Sequence, residues 1–150
     1  MSTSRGPERD GRPPLAGERR RSRERALGLL YEAEAKGVRA EDLLAELPAP
    51  PEPYAEELVR GVGERITEID ALLADKARTW AVGRMPAVDR QVLRIAAFEL
   101  LWCPEVPLAV VIDEALELVK QYSTADSARF VNGVLAALAA GARAGEAAGA

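Results

Sequence analysis

Residues 19–25, RRRSRER, place five arginines, Arg19, Arg20, Arg21, Arg23 and Arg25, in seven positions of a 150-residue chain whose formal net charge is −4. A guanidinium stays charged throughout the physiological range and makes forked, charge-assisted hydrogen bonds to phosphate. The chemistry on offer is therefore phosphate contact, not proton transfer. The charge is also unevenly spread. Residues 1–25 carry a net +4 and the rest of the chain a net −8. A basic start on an acidic body suggests a local anionic partner, not general adhesion to polyanions. The plainer alternative, a solubilising helix surface, stays open on charge alone.

Six residues past the cluster stands Tyr31. It lies eleven residues beyond Arg20, about three helical turns and about 20° further round. The two share a bearing at the edge of an apolar stripe. A tyrosine there is either amphipathic packing or a stacking platform for an unpaired base. Three consecutive arginines point about 100° apart around a helix, so Arg19, Arg20 and Arg21 cannot all line one face. A partly flexible helix start that wraps a phosphate backbone suits them better.

Other chemistries are poorly represented. The chain has no histidine and one cysteine, Cys103, and no glycine-rich phosphate loop or metal-ligand spacing. No cofactor, metal or catalytic group is expected. The carboxylates of IDEALELVK (Asp113, Glu114 and Glu117 ahead of Lys120) read as a solvated helix face with i,i+3 and i,i+4 pairs. Glu99, on the most apolar segment, reads as a partly buried ion-pair partner or a protein contact, and Cys103 as a small apolar filler. A single cysteine, no apolar leader and no apolar run of membrane-spanning length point to a soluble cytoplasmic protein.

The elements that must position these residues are helical nearly throughout. With 48% hydrophobic and 5% aromatic residues, the core must be mostly Leu, Val, Ile and Ala. Residues 1–17, rich in Gly, Pro, Ser and charge, read as a disordered arm, and 141–150 as a disordered tail. Between them the periodicity predicts helices over about 18–36 (stopped by Gly37), 39–47, 54–78, 86–102, 108–122 and 127–140. The third carries Leu58, Val62, Ile66, Ile69 and Leu73 at steps of three and four. Gly61 and Gly63 within it either weaken it or permit a close crossing. Thr124 or Asp126 is the candidate N-cap of the last helix. The expectation is an all-α domain of six or seven helices over 18–140. The proline-rich 48–53 and the turn at 80–86 suggest a division into two small bundles.

The segments RRRSRERALGLLYEAE, YAEELVRGV, RMPAVDRQVLRIAAFELLW, VPLAVVIDEALELVKQYS and DSARFVNGVLAALA, in that order over about 19–139, resemble the NusB family of bacterial transcription antitermination factors. The resemblance implies two helical bundles packed crosswise and no catalysis. It implies binding of boxA-type single-stranded RNA, from ribosomal RNA precursor transcripts, together with NusE, a small-subunit ribosomal protein. It also implies a place in an RNA polymerase antitermination complex with other Nus factors. By the same resemblance, Arg19, Arg20, Arg21 and Arg23 match the family's arginine-rich RNA arm, Tyr31 its RNA-side tyrosine, and Asp126 and Phe130 a second RNA-facing patch. Arg129 joins them because a cation beside an aromatic suits a nucleic-acid surface. NusE is expected around residues 85–120. Two further family readings are a homodimer that covers these surfaces and a domain of an RNA methyltransferase. The glycine-rich cofactor site and catalytic cysteine motif that the second needs are missing from these residues.

Overall fold

The computed structural model describes residues 16–78 and 80–143. Among them are seven α-helices and no strand: α1 (Ala16–Lys36), α2 (Ala40–Glu46), α3 (Pro53–Glu64), α4 (Ile66–Lys76), α5 (Ala87–Trp102), α6 (Leu108–Tyr122) and α7 (Ala125–Ala142), with a 3₁₀ turn at Val82–Arg84. The all-α expectation of six or seven helices is met. The described residues divide into two compact units, on either side of a boundary at 63/64.

The first unit holds α1, α2 and α3. Gly37 ends α1 as expected, and its φ of +69° shows why glycine stands there. Its N–H donates to Glu34 O at 3.1 Å, and the N–H of Val38 donates to Ala33 O at 3.0 Å. This paired closure satisfies carbonyls that the end of a helix would otherwise leave open. The inward side of α1 is Ala26, Leu27, Leu29, Leu30 and Ala33, all buried. α2 contributes Leu43 and Leu44, and α3 contributes Tyr54, Ala55, Leu58, Val59 and Val62. The proline-rich connection stays inside this unit, joining α2 to α3.

The helix expected over 54–78 is two helices. Arg65, at φ −115° and ψ 21°, leaves helical geometry and becomes the N-cap of α4. The division of the chain therefore falls at 63/64, not at the proline run or the 80–86 turn. Apolar periodicity passed straight through the break because both helices keep their buried steps in phase. The local warning was Gly61 and Gly63. A Cβ on Gly63 would sit 3.0 Å from the Ala40 Cβ, so glycine lets α3 run close to the start of α2.

In the second unit α5 is buried from Asp89 to Leu100, Arg94 excepted, and it packs against α4, α6 and α7. A helix buried on nearly every side stands at the centre of its unit, and here the buried residues include Asp89, Arg90, Gln91 and Glu99. Arg94 reaches Asp70 of α4 with two bonds, Nε to Oδ1 at 2.9 Å and Nη2 to Oδ2 at 2.7 Å. This half-buried fork fixes the α4–α5 crossing. Glu99 is almost completely buried. Cys103, the single cysteine of the chain, is buried, consistent with an apolar filler.

α7 starts two residues earlier and ends two residues later than its periodicity suggested. Thr124 is its N-cap, accepting from the Ser127 N–H at 3.0 Å. Beyond its end, Arg143 donates to Leu100 O at 3.0 Å, Glu99 O at 3.0 Å, Cys103 O at 2.9 Å and Val106 O at 2.6 Å. One guanidinium thus caps the open, partially negative end of α5. Residues 141–143 of the expected tail are therefore ordered by specific contacts, and the rest of that tail lies outside the described residues. So do residues 1–15 of the expected arm, while α1 already includes Ala16 and Gly17.

Candidate nucleic-acid interface

Helix α1 sorts the arginine cluster by direction. The segment is helical from Ala16, not a loosely wound start. Its arginines are divided between the buried and the exposed sides of a regular helix. Arg20, Arg21 and Arg25 are exposed. Arg23 is 2% exposed, and Arg19 is intermediate. The last two, four residues apart, lie over the ring of Tyr54 on α3, with guanidinium carbons 5.9 Å and 5.1 Å from its centroid. Cation–π attraction and the burial of their aliphatic stems account for this placement.

Of the four arginines expected in an RNA arm, Arg20 and Arg21 are exposed, Arg19 is intermediate and Arg23 is buried. The signal was available. Stepping back from Ala26 by three and four gives Arg23 and Ser22, and four more from Arg23 gives Arg19. Both Ser22 and Arg23 are buried.

Tyr31 is 48% exposed and stands on the outward side of α1. The exposed Gly28 lies between it and the outward arginines. Arg20, Gly28 and Tyr31 fall within about 80° of one another around the helix, and Arg20 and Tyr31 are about 16 Å apart along its axis. The first unit thus presents Arg20 and the half-exposed ring of Tyr31 on one face, with the exposed Arg21 and Arg25 further round the helix.

The second unit carries Asp126, Arg129 and Phe130 on α7. Asp126 and Arg129 form an i,i+3 ion pair, and both side chains are largely exposed. Such a pair contributes at most about 1 kcal/mol, so Arg129 exchanges its carboxylate for another anion at little cost. Phe130 is half-buried. Its ring lies 5.0 Å from that of Trp80, at 64° between planes, the edge-on arrangement aromatic quadrupoles favour. Trp80 is 40% exposed. Sequence reasoning treated it only as part of a turn. α1 and α7 belong to different units, and each face stands by itself.

A separate aromatic group marks the far end of α5. Trp102 stacks on Phe98 at 5.8 Å, and the Arg65 guanidinium lies 4.4 Å from the Trp102 centroid. Val110 on α6 is 40% exposed. Among the described residues no cluster of His, Cys, Asp and Glu could hold a metal ion, and no helix is long and apolar enough to cross a membrane.

Residues 20–140 match a family model described as the NusB family. The chain is 50% identical over 130 residues to the transcription antitermination protein NusB of Saccharopolyspora erythraea, covering 82% of this chain and 87% of the relative. It is 40% identical over 129 residues to the protein of the same name from Streptomyces avermitilis, covering 80% and 90%. Among solved structures it is similar to T. maritima NusB, at 35% identity and a TM-score of 0.73 over 81% of this chain and 89% of that one. It is also similar to a chain of the complex of antitermination factors NusB and NusE with dsRNA, at 25% identity and a TM-score of 0.71 over 85% and 99%.

Proposed function

The chain belongs to the NusB family, whose matched relatives are transcription antitermination proteins, and from that premise we propose that it is an RNA-binding antitermination factor. In this reading it binds boxA-type single-stranded RNA of ribosomal RNA precursors in the cytoplasm and acts with NusE in an RNA polymerase complex with other Nus factors. The observation that carries the reading is the outward face of α1. Arg20 and Arg21 supply phosphate contacts, and Tyr31, half exposed, offers a ring to a base. Asp126, Arg129 and Phe130 on α7 add a second patch of the same kind. A solved relative's complex contains NusE and dsRNA. Exposed aromatics favour unpaired bases here, because a base inside a duplex has no free face to stack on. The role is non-catalytic: charge, stacking and protein contact perform it.

The NusE contact is proposed on the second unit, within 85–120. There Trp102 and the exposed Val110 supply aromatic and aliphatic surface of the kind that anchors protein interfaces. The test is a titration of labelled boxA-type RNA with this protein, with and without NusE, beside the same sequence as a duplex and a sizing run. The expected result is salt-sensitive binding that prefers the single strand and strengthens with NusE. Equal affinity for the duplex removes the single-strand reading, and tight binding to double-stranded DNA alone removes the RNA reading. A homodimer in the sizing run that dissociates when RNA is added would place the dimer contact over the RNA face.

A further inference from the structure

The α4–α5 connection contributes an aromatic that nothing above assigns. Trp80 follows the end of α4 and precedes the 3₁₀ turn, and it keeps 40% of its surface exposed. Its position is fixed from two sides. The Phe130 ring meets it edge-on at 5.0 Å. The turn just beyond it is held by the buried Arg90, whose Nη1 donates to Val82 O at 3.1 Å and Met85 O at 2.7 Å. The large apolar ring is thus held at the surface by a pinned turn, without being drawn into the core.

Its neighbours along the chain are cationic. Arg78 and Arg84 flank it in sequence and are exposed, and residues 76–88 contain no acidic side chain. Arg129, next to Phe130, stands exposed on α7 and is held by a surface ion pair alone among the contacts described for it. A held aromatic with exposed guanidiniums around it is the arrangement that binds the face of an unpaired base while its phosphates are neutralised.

We propose that Trp80 is a further RNA-binding residue, forming with Phe130 a two-ring platform on which one unpaired base stacks. Arg78, Arg84 and Arg129 contact the adjoining phosphates. This assignment rests on the RNA reading of the preceding subsection and adds to it a stacking residue on the second unit. The inclined arrangement, 64° between the ring planes, favours a single base. A single flat base lies on the indole face and meets the second ring at its margin, whereas a base inside a duplex has no free face to offer. Stacking of this kind tolerates any base.

The test uses the full chain and a labelled boxA-type oligoribonucleotide, with binding read by anisotropy and, separately, by tryptophan emission. Trp80→Ala is expected to weaken RNA binding by roughly 5- to 150-fold, the range of one base–aromatic stack, with the salt dependence unchanged. Trp80→Phe, which keeps a ring, should retain most of the affinity. RNA should quench the emission of the wild-type protein, where Trp80 and Trp102 both report. The quench should vanish in Trp80→Phe, where Trp102 alone reports. Helicity and melting are measured on the same samples. If Trp80→Ala melts early, the quench comparison between wild type and Trp80→Phe still decides the matter. RNA that binds wild type with no change in tryptophan emission overturns the platform and leaves the wider RNA reading standing. Failure of the RNA to bind wild-type protein at all overturns both.

Discussion

Two double variants of α1 should behave in opposite ways, because one pair of arginines is exposed and the other lies over Tyr54. Arg20→Ala with Arg21→Ala removes two exposed guanidiniums. Each phosphate contact on a single strand contributes about −0.7 to the slope of log affinity against log salt, so the slope should flatten by roughly 1.4. Between 50 and 200 mM salt the wild type should then lose about sevenfold more affinity than this variant. Its melting point should barely move, since exposed substitutions stay within about 0.5 kcal/mol.

Arg19→Ala with Arg23→Ala removes the two guanidiniums over Tyr54. Each cation–π contact is worth about 0.5–2 kcal/mol, and the buried stems add packing. Against this, Arg19 Nε is buried without a hydrogen-bond partner, so its removal also relieves an unmet donor. A net loss of about 2 kcal/mol follows, a fall in Tm of about 4–8 °C for a chain of this size. The assays are thermal melting by circular dichroism and RNA titration at four salt concentrations on the same samples. If the Arg19/Arg23 variant keeps its Tm and flattens the salt slope as much as the Arg20/Arg21 variant, the division of the cluster into two faces is wrong.

Tyr31→Ala should cost about 1–3 kcal/mol of RNA affinity at constant salt slope, with little change in Tm because half the ring is already exposed; normal binding with a large drop in Tm would make Tyr31 a packing residue. Arg143→Ala should lower stability by about 2–4 kcal/mol, because it strips four carbonyls around the end of α5 of a charged donor. Its RNA affinity per folded molecule should be unchanged, and a melting point equal to wild type would refute the capping role. Gly37→Ala should cost about 1–2 kcal/mol, since φ of +69° sets a Cβ against the following carbonyl, and a urea midpoint equal to wild type would contradict this.

The helices were legible in the chain because a buried stripe repeats at three and four residues wherever a helix has one wet side. α6 matches its expected bounds, and the caps at Gly37 and Thr124 follow from local chemistry that needs no distant partner. The arginine cluster was legible as charge, and Tyr31 as a residue sharing Arg20's bearing. Three features needed tertiary structure, each because its cause lies far along the chain. Arg23 looks like its neighbours until Tyr54, thirty-one residues on, lies beneath it. Arg143 looked like part of a featureless tail, yet its partners are carbonyls some forty residues earlier. Trp80 looked like a turn residue until the fold brought Phe130 against its ring. Periodicity and caps report what a residue does to its own helix. Which charge is drawn inward, and which ring is held at the surface, depends on what the packed chain sets against it.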